Sequence, residues 1–293
     1  WFTLVGLRGA RVDGRWRPLD WLRFDLEIEG TDGVELKDAY ARIKPWRWLG
    51  LHVGRFKKPF SRLRMDSPWD LVIPERGLMD STVVGKGSHG GFGGRDLGAM
   101  LSGKFKAGLP ISYSVGVFNG DGSIEGRDES HQDYVGRFGL RPLKGLRLAV
   151  NACHKIIYFA GRHLTVNLFG ADLRWTLGPF ALQAEGAVGD NPDAGPGHGL
   201  AGGHLILSWR WEVAPGWVLT PAAMAEVLDP DDAVAGYGWR LAAALNLDVG
   251  EHLRVILAGE GVFGDLEATD TRSGSVQPLS WPTRIFAQAN VMF

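Results

Sequence analysis

The chain of 293 residues has very few features that would place it in a familiar soluble class. It has one cysteine, Cys153, so an intrachain disulfide is excluded. Its net charge of −1 provides no overall attraction to nucleic acid, and no nucleic-acid partner is expected. No apolar run approaches the roughly 18 residues that a membrane-spanning helix needs. A membrane protein built from strands is still possible, because alternation hides its apolar half from averaged hydropathy.

Apolar and polar residues alternate along much of the sequence, and the segment 283–293 shows this most clearly. Ile285, Ala287, Ala289, Val291 and Phe293 fall on one face of a strand, and polar or mixed side chains fall on the other. A tilted strand of this length crosses a bilayer. The segment ends on an aromatic residue, which is typical of the closing strand of an outer-membrane barrel.

The same alternation recurs along the chain, with connections of two lengths. Short turns are predicted at 45–47, 107–110, 142–145, 177–179, 214–216 and 249–251. Longer loops are predicted at 58–92, 119–131, 189–203, 228–237 and 264–282. Outer-membrane barrels have short periplasmic turns and longer outer loops. The pattern therefore predicts one all-β domain over residues 1–293, a transmembrane antiparallel β-barrel in the bacterial outer membrane.

About fifteen alternating segments can be counted, whereas bacterial barrels of this type are even-numbered. We therefore expect about sixteen strands, with the first strand missing from this chain and preceding Trp1. A barrel of that size encloses a water-filled lumen. Tryptophans near the short turns are expected to form an interface belt in contact with outer-membrane lipid, although core anchors of a soluble β-protein would also be aromatic.

The sequence contains few residues that could form a catalytic, nucleotide-binding or metal site. No histidine lies in a zinc-ligand spacing, and the glycine-rich stretch 85–94 is followed by an alternating strand instead of the helix of a phosphate-binding loop. Asp128, Glu129, His131 and Asp133 share one outer loop and could pair as in a barrel hydrolase, or be solvated charges. The acidic runs 190–193 and 229–232 fit weak calcium binding and ordinary turns equally. We expect no enzyme, no metal and no cofactor.

Four motifs carry a resemblance to a known family. They are Val34–Lys44 (VELKDAYARIK), Leu51–Phe60 (LHVGRFKKPF), Pro74–Gly77 (PERG) and Gly94–Gly103 (GRDLGAMLSG). In these the chain resembles the phosphate-selective porin O and P family, over about residues 34–103. The resemblance implies a homotrimeric, sixteen-stranded porin whose long loop, here 58–92, folds into the pore.

The resemblance also implies the residues that would select the solute. A pore constriction is expected at the basic run that enters the loop, and lumen-lining charges are expected on the inward rows. The constriction residues are Arg55, Lys57, Lys58, Arg62 and Arg64. The lumen-lining residues are Arg23, Asp38, Arg42, Asp96, Arg137, Arg141, Arg147, Arg174, Arg210 and Arg240. The basic run could also contact anionic lipid headgroups. The inward rows carry as many acids as bases, which does not predict a uniformly positive tube.

The sequence thus predicts a porin for passive diffusion of small hydrophilic solutes, with a preference for anions that are phosphate-like by resemblance. An alternative from another class is a structural or plugged barrel that anchors a protein partner of an envelope complex. A barrel hydrolase would need a histidine and a carboxylate that converge at the outer rim.

Overall fold

The structure is a computed structural model. It describes residues 10–30, 33–85, 91–122, 131–159, 162–192, 197–234, 236–264, 267–270, 275–278 and 283–291. Phe293, Asp128 and Glu129, which the sequence analysis singled out, lie outside the described residues.

Alternating segments form the strands that the sequence predicts, joined by the short turns and longer connections described above. The strands are β1 (Arg11–Leu19), β2 (Leu22–Gly30), β3 (Val34–Trp46), β4 (Leu49–Lys57), β5 (Arg95–Ala107), β6 (Leu109–Phe118), β7 (Gln132–Leu140), β8 (Leu146–Phe159), β9 (Arg162–Leu177), β10 (Phe180–Asp190), β11 (Gly199–Trp209), β12 (Trp211–Ala214), β13 (Trp217–Asp229), β14 (Gly238–Val249), β15 (Leu253–Gly264), β16 (Glu267–Asp270), β17 (Ser275–Pro278) and β18 (Arg284–Val291).

One antiparallel sheet of sixteen strands contains all of these except β16 and β17, which pair with each other. Neighbours in sequence are neighbours in space, and β15 pairs with β18. Strand β12 continues β11, because both pair with β13. The wall therefore has fifteen positions, and its end strands, β1 and β18, run in the same direction. Within the described residues no pairing joins β1 to β18, and antiparallel closure requires one further strand between them.

The two faces of the sheet differ as the alternation predicts. On β14 and β18 the apolar row points outward, with Leu241 54% and Ile285 84% exposed. The opposite row of β14 is buried, with Arg240 only 2% exposed. A band of exposed apolar side chains on the outside of a barrel is the surface that lipid contacts. The predicted outward rows of the strands are confirmed.

Aromatic side chains border this band at both ends. At the short turns the rings of Trp46 and Trp48 stack with centroids 5.2 Å apart, and both are exposed. Trp217 starts β13 at another short turn, and Trp239 pairs with Val227 near the other end of that strand. Ten residues of a strand tilted by about 45° rise roughly 23 Å, close to the height of about 25 Å of the apolar band in outer-membrane barrels.

Residues 58–85, here called the inner segment, leave β4 and pack against the inner face of the sheet. The segment contains an α-helical turn (Arg62–Met65), a 3-10 turn (Pro68–Asp70) and a π-helical turn (Asp80–Val84). None of the helices in the described part of the chain is long and apolar enough to span a membrane.

The inner segment covers an apolar wall. Leu71 and Ile73 pack with Ile206, Met224 and Ile256, which point inward from β11, β13 and β15. A second cluster joins residues at the two ends of the loop to the inward side chains of β6 to β13, and it contains Phe60, Leu78, Val84, Phe92, Phe118, Val135, Ile157, Leu168, Leu200 and Leu228. The expected water-filled lumen therefore does not extend to this side of the barrel, because the chain's own segment occupies the space there.

Candidate functional site

Four fully buried charges hold the two ends of the loop. Lys58 Nζ contacts Asp133 Oδ2, and Lys155 Nζ lies 2.7 Å from the same oxygen. Lys58 Nζ also donates to the carbonyl of Gly91, 2.6 Å away. Asp96 lies 3.9 Å from Lys58 and accepts the main-chain amide of Gly120 at 2.6 Å. Buried charges require partners of this kind, and here two lysines balance two aspartates.

Side chains of the wall accept hydrogen bonds from the backbone of the inner segment. Glu226 accepts the amides of Leu78 and Met79 at 2.8 and 3.0 Å. Glu185 accepts the amide of Leu63 at 3.1 Å. Amides that no helix or sheet can pair must find such acceptors when they are buried. The carboxylates on these strands therefore orient the segment.

Other wall residues donate hydrogen bonds to the segment's carbonyl groups. Asn246 Nδ2 donates to the carbonyl of Val72 at 2.9 Å, and Arg240 donates to the carbonyl of Glu75 at 3.3 Å. Arg240 is also held by Glu260, 2.5 Å away. Acceptors and donors from β10 to β15 thus fix the segment along its length. They leave most of the wall formed by β1 to β5 uncovered; its contacts with the segment are at the ends of β4 and β5, through Lys57, Asp96 and the apolar cluster that contains Phe56 and Met100.

Charged side chains occupy the inner face of β1 to β5. Arg95 bridges Asp38 at 2.8 Å and Glu27 at 2.9 Å. Arg23 pairs with Asp25 at 2.6 Å. Acidic and basic side chains on β1 to β3 remain partly exposed, whereas Arg55 of β4 and Asp96 of β5 are buried. This face and the free edge of the inner segment border the open part of the interior.

Two cations in this region share a single acceptor. Lys57 Nζ and Arg76 Nη2 both donate to the carbonyl of Asp66, at 3.2 and 2.8 Å. Neither forms an ion pair with a carboxylate in the described part of the chain. Burial, opposed by the nearby carboxylate of Asp80 and assisted by the cations Arg64, Arg11 and Arg95, lowers the pKa of Arg76 to about 10. Within the described residues the two basic side chains therefore have no carboxylate that pairs with them.

The structure separates the five residues predicted for the constriction. Lys57, Arg62 and Arg64 lie at the inner segment; Arg62 pairs with Asp66 at 2.7 Å and Arg64 with Asp80 at 3.2 Å. Arg55 is buried and donates to the carbonyls of Leu36 and Gly122. Lys58 has no exposed surface. A constriction contributed by this run would therefore consist of Lys57, Arg62 and Arg64.

The predicted lumen-lining residues are also divided. Arg23, Asp38 and Arg42 lie on the uncovered wall, whereas Asp96 and Arg240 are buried. Arg137 pairs with Asp172 at 2.7 Å. Nearer the short turns, Arg147 is exposed within electrostatic reach of Arg62, Arg141 and Arg174. Arg210 is exposed between β11 and β12.

Arg76 was not among the predicted site residues, although it lies in the PERG motif. Its loop has no periodicity, so nothing local shows which way the side chain points. Of the predicted outer-loop pair, Asp133 is bound by two lysines, and His131 lies near the amide of Tyr158. No group of three or more metal-ligating side chains occurs within the described ranges.

Sequence comparison finds no relatives: neither a protein-family model nor a curated protein sequence matches the chain. Structural comparison does find similar proteins. An anion-selective porin from Comamonas acidovorans matches with a TM-score of 0.64 and 10% identity, over 97% of this chain and 87% of that one. The channel DcaP of Acinetobacter baumannii gives 0.59 and 13%, over 97% and 84%. The trimer form of OmpT of Vibrio cholerae gives 0.55 and 11%, over 97% and 89%.

The chain has the fold of the outer-membrane porins. The matches extend over nearly its whole length, and the apolar outer band and aromatic borders have the form that a membrane-embedded porin barrel requires. At such low identity the likeness concerns the fold alone.

Proposed function

We propose that the protein is a bacterial outer-membrane channel through which small hydrophilic solutes diffuse passively, with a preference for anions. The observation that carries the anion preference is the pair Lys57 and Arg76, two cations that share one carbonyl and lack a carboxylate partner in the described residues. A permeating anion supplies the missing counter-charge. Selection then depends on pore radius and fixed charge, and no covalent step is needed.

We propose that this site forms the constriction. The inner segment is fixed to β10–β15, and Lys57 lies beside Arg95, which bridges Asp38 and Glu27. Anions therefore pass between a cationic edge and a wall of mixed charge. Phosphate remains the solute that the O and P family resemblance predicts, and the mixed wall favours weak anion preference over strict phosphate selectivity.

We also propose that the channel is one domain and assembles as a homotrimer in outer-membrane lipid. One of the structurally similar proteins is described in a trimer form. Cross-linking in native membranes tests this assembly, and a species of three chains is expected.

Reversal potentials in planar bilayers under a salt gradient test the anion preference. Lys57→Gln with Arg76→Gln is expected to shift the reversal potential toward the cation equilibrium value, because two uncompensated positive charges leave the constriction. The control is Lys144→Gln, which removes one positive charge from an exposed short turn. A double variant with the wild-type reversal potential would remove these residues from the selectivity site. A correctly folded protein that produces no conductance steps would contradict the channel itself.

A further inference from the structure

The charges on the uncovered wall are sorted by sign into rows that run across the strands. Near the outer end, Asp13 pairs across the sheet with Glu27, and Glu27 with Asp38. Nearer the short turns, Arg23 lies directly opposite Arg42. Like charges placed directly opposite each other destabilise a sheet. Their repetition in two rows of opposite sign is a cost to the fold that a purely structural wall would not need.

The acidic row is only partly neutralised. Arg11 and Arg95 contact its central residue, Glu27, at 3.1 and 2.9 Å, and Arg95 also holds Asp38. Just beyond it, Glu29 lies opposite Glu35, with Lys37 2.6 Å from each. Arg55 and Lys57 of β4 and Asp96 of β5 lie beside these groups. The outer half of this wall therefore holds five cations and six carboxylates, an excess of one negative charge.

The basic half is less compensated. Lys44 lies within electrostatic reach of Arg23, Arg42, Arg47 and Lys104, all of them cations. Of this group only Arg23 has an ion-pair partner in the described residues, Asp25. The Nε atom of Arg42 is buried without a hydrogen-bond partner. The wall therefore changes sign along the channel axis near Tyr40, from net negative at the outer end to strongly positive at the end with the short turns.

We infer that this reversal makes the channel rectify ionic current. The inference rests on the proposed function, since it requires an open channel. Mobile cations accumulate beside the acidic half and mobile anions beside the basic half. A voltage that is positive on the outer side drives both populations toward the middle and raises the ion concentration there. The opposite voltage drives both populations away from the middle and lowers the ion concentration there. Conductance is therefore higher when the outer side is positive.

Salt concentration provides an internal control, because fixed charge acts over the Debye length. That length is about 10 Å at 0.1 M salt and about 3 Å at 1 M. At the lower salt the fields of the two rows extend across a narrow channel, and at the higher salt they are screened close to the wall. Rectification is expected in dilute salt and is expected to vanish in concentrated salt.

The experiment adds the intact protein to one side of a planar bilayer and compares single-channel currents at equal voltages of opposite sign. Orientation is determined with Ala233→Cys, an exposed position on the connection between β13 and β14, and an impermeant thiol reagent; the native Cys153 is buried. In dilute KCl the ratio of outer-positive to outer-negative current should exceed one. Arg42→Gln with Lys44→Gln should lower the ratio toward one, since Arg23, Arg47 and Lys104 remain, whereas Lys144→Gln should leave it unchanged.

A wild-type channel with equal currents at both polarities in dilute salt would overturn the inference while leaving the diffusion channel intact. A ratio above one that the Arg42 and Lys44 changes do not alter would also overturn it. Absence of all conductance would instead contradict the proposed function. The three outcomes are therefore distinguishable in one set of recordings.

Discussion

Charged side chains lie on both sides of the barrel interior, but their contacts differ between the two sides. On the side of β6 to β15, several charged side chains are buried and hold a piece of the inner segment, as Glu226 does for Leu78 and Met79. On β1 to β3, charged side chains remain partly exposed and contact mainly one another and Arg95. An inward-facing charge can therefore reach a solute only where no other part of the chain covers it. The face of the strand on which a residue lies does not by itself show whether its side chain is accessible from the lumen.

The largest difference between the two sides is expected when the adjacent residues Lys57 and Lys58 are replaced one at a time. Lys58→Met leaves Asp133 and Asp96 in a buried cluster with one cation fewer, and removing one partner of a buried ion pair costs about 3–5 kcal/mol. Lys57→Met removes an unpaired cation, and we expect a change within about 1 kcal/mol. The measurement is the free energy of unfolding of each variant in urea with lipid vesicles. Equal losses at the two positions would mean that the two sides do not differ.

A more local effect is expected when one attachment of the inner segment is removed. Glu226→Ala leaves two buried amides without acceptors, and each unsatisfied group costs about 1–3 kcal/mol. The segment should loosen locally, so hydrogen exchange at Leu78 and Met79 should accelerate and single-channel current should become noisier. The matched control is Glu35→Ala on the uncovered wall, where the carboxylate is 55% exposed. If both variants leave the exchange rates unchanged, Glu226 does not hold the segment.

The sequence predicts the barrel well because its evidence is local. Alternation with a period of two identifies each strand and its lipid-facing row, and turn residues mark the short connections. The covered wall was predictable in part: Ile206, Ala242 and Ala244 interrupt rows that otherwise contain polar inward residues. A strand with apolar residues on both faces is expected to be covered on both faces, here by lipid outside and by another part of the protein inside. That signal shows that something covers the wall, without showing what.

The residues of the constriction were harder to predict for a physical reason. Lys57 and Lys58 adjoin the end of β4, where strand alternation no longer determines side-chain direction. Lys58 is directed by a partner 75 positions away, Asp133, and Arg76 by carbonyls of its own loop. Such long-range contacts leave no periodic trace. The basic composition of residues 55–64 indicated a preference for anions. Which of these basic side chains face the open interior depends on packing, which the sequence does not show.

The smallest predicted effect is a pH dependence that belongs to Arg76 at the free edge of the inner segment. Arg76 keeps its charge below its pKa of about 10 and loses it as the pH rises through that value. The contribution of Arg76 to anion preference should therefore fall in alkaline solution, as followed by reversal potentials across a pH series. Arg76→Gln should abolish the part of this titration that Arg76 contributes. A wild-type channel whose anion preference stays constant through pH 10 would show that Arg76 retains its proton, and that the shared carbonyl of Asp66 stabilises the cation more than burial and the neighbouring cations destabilise it.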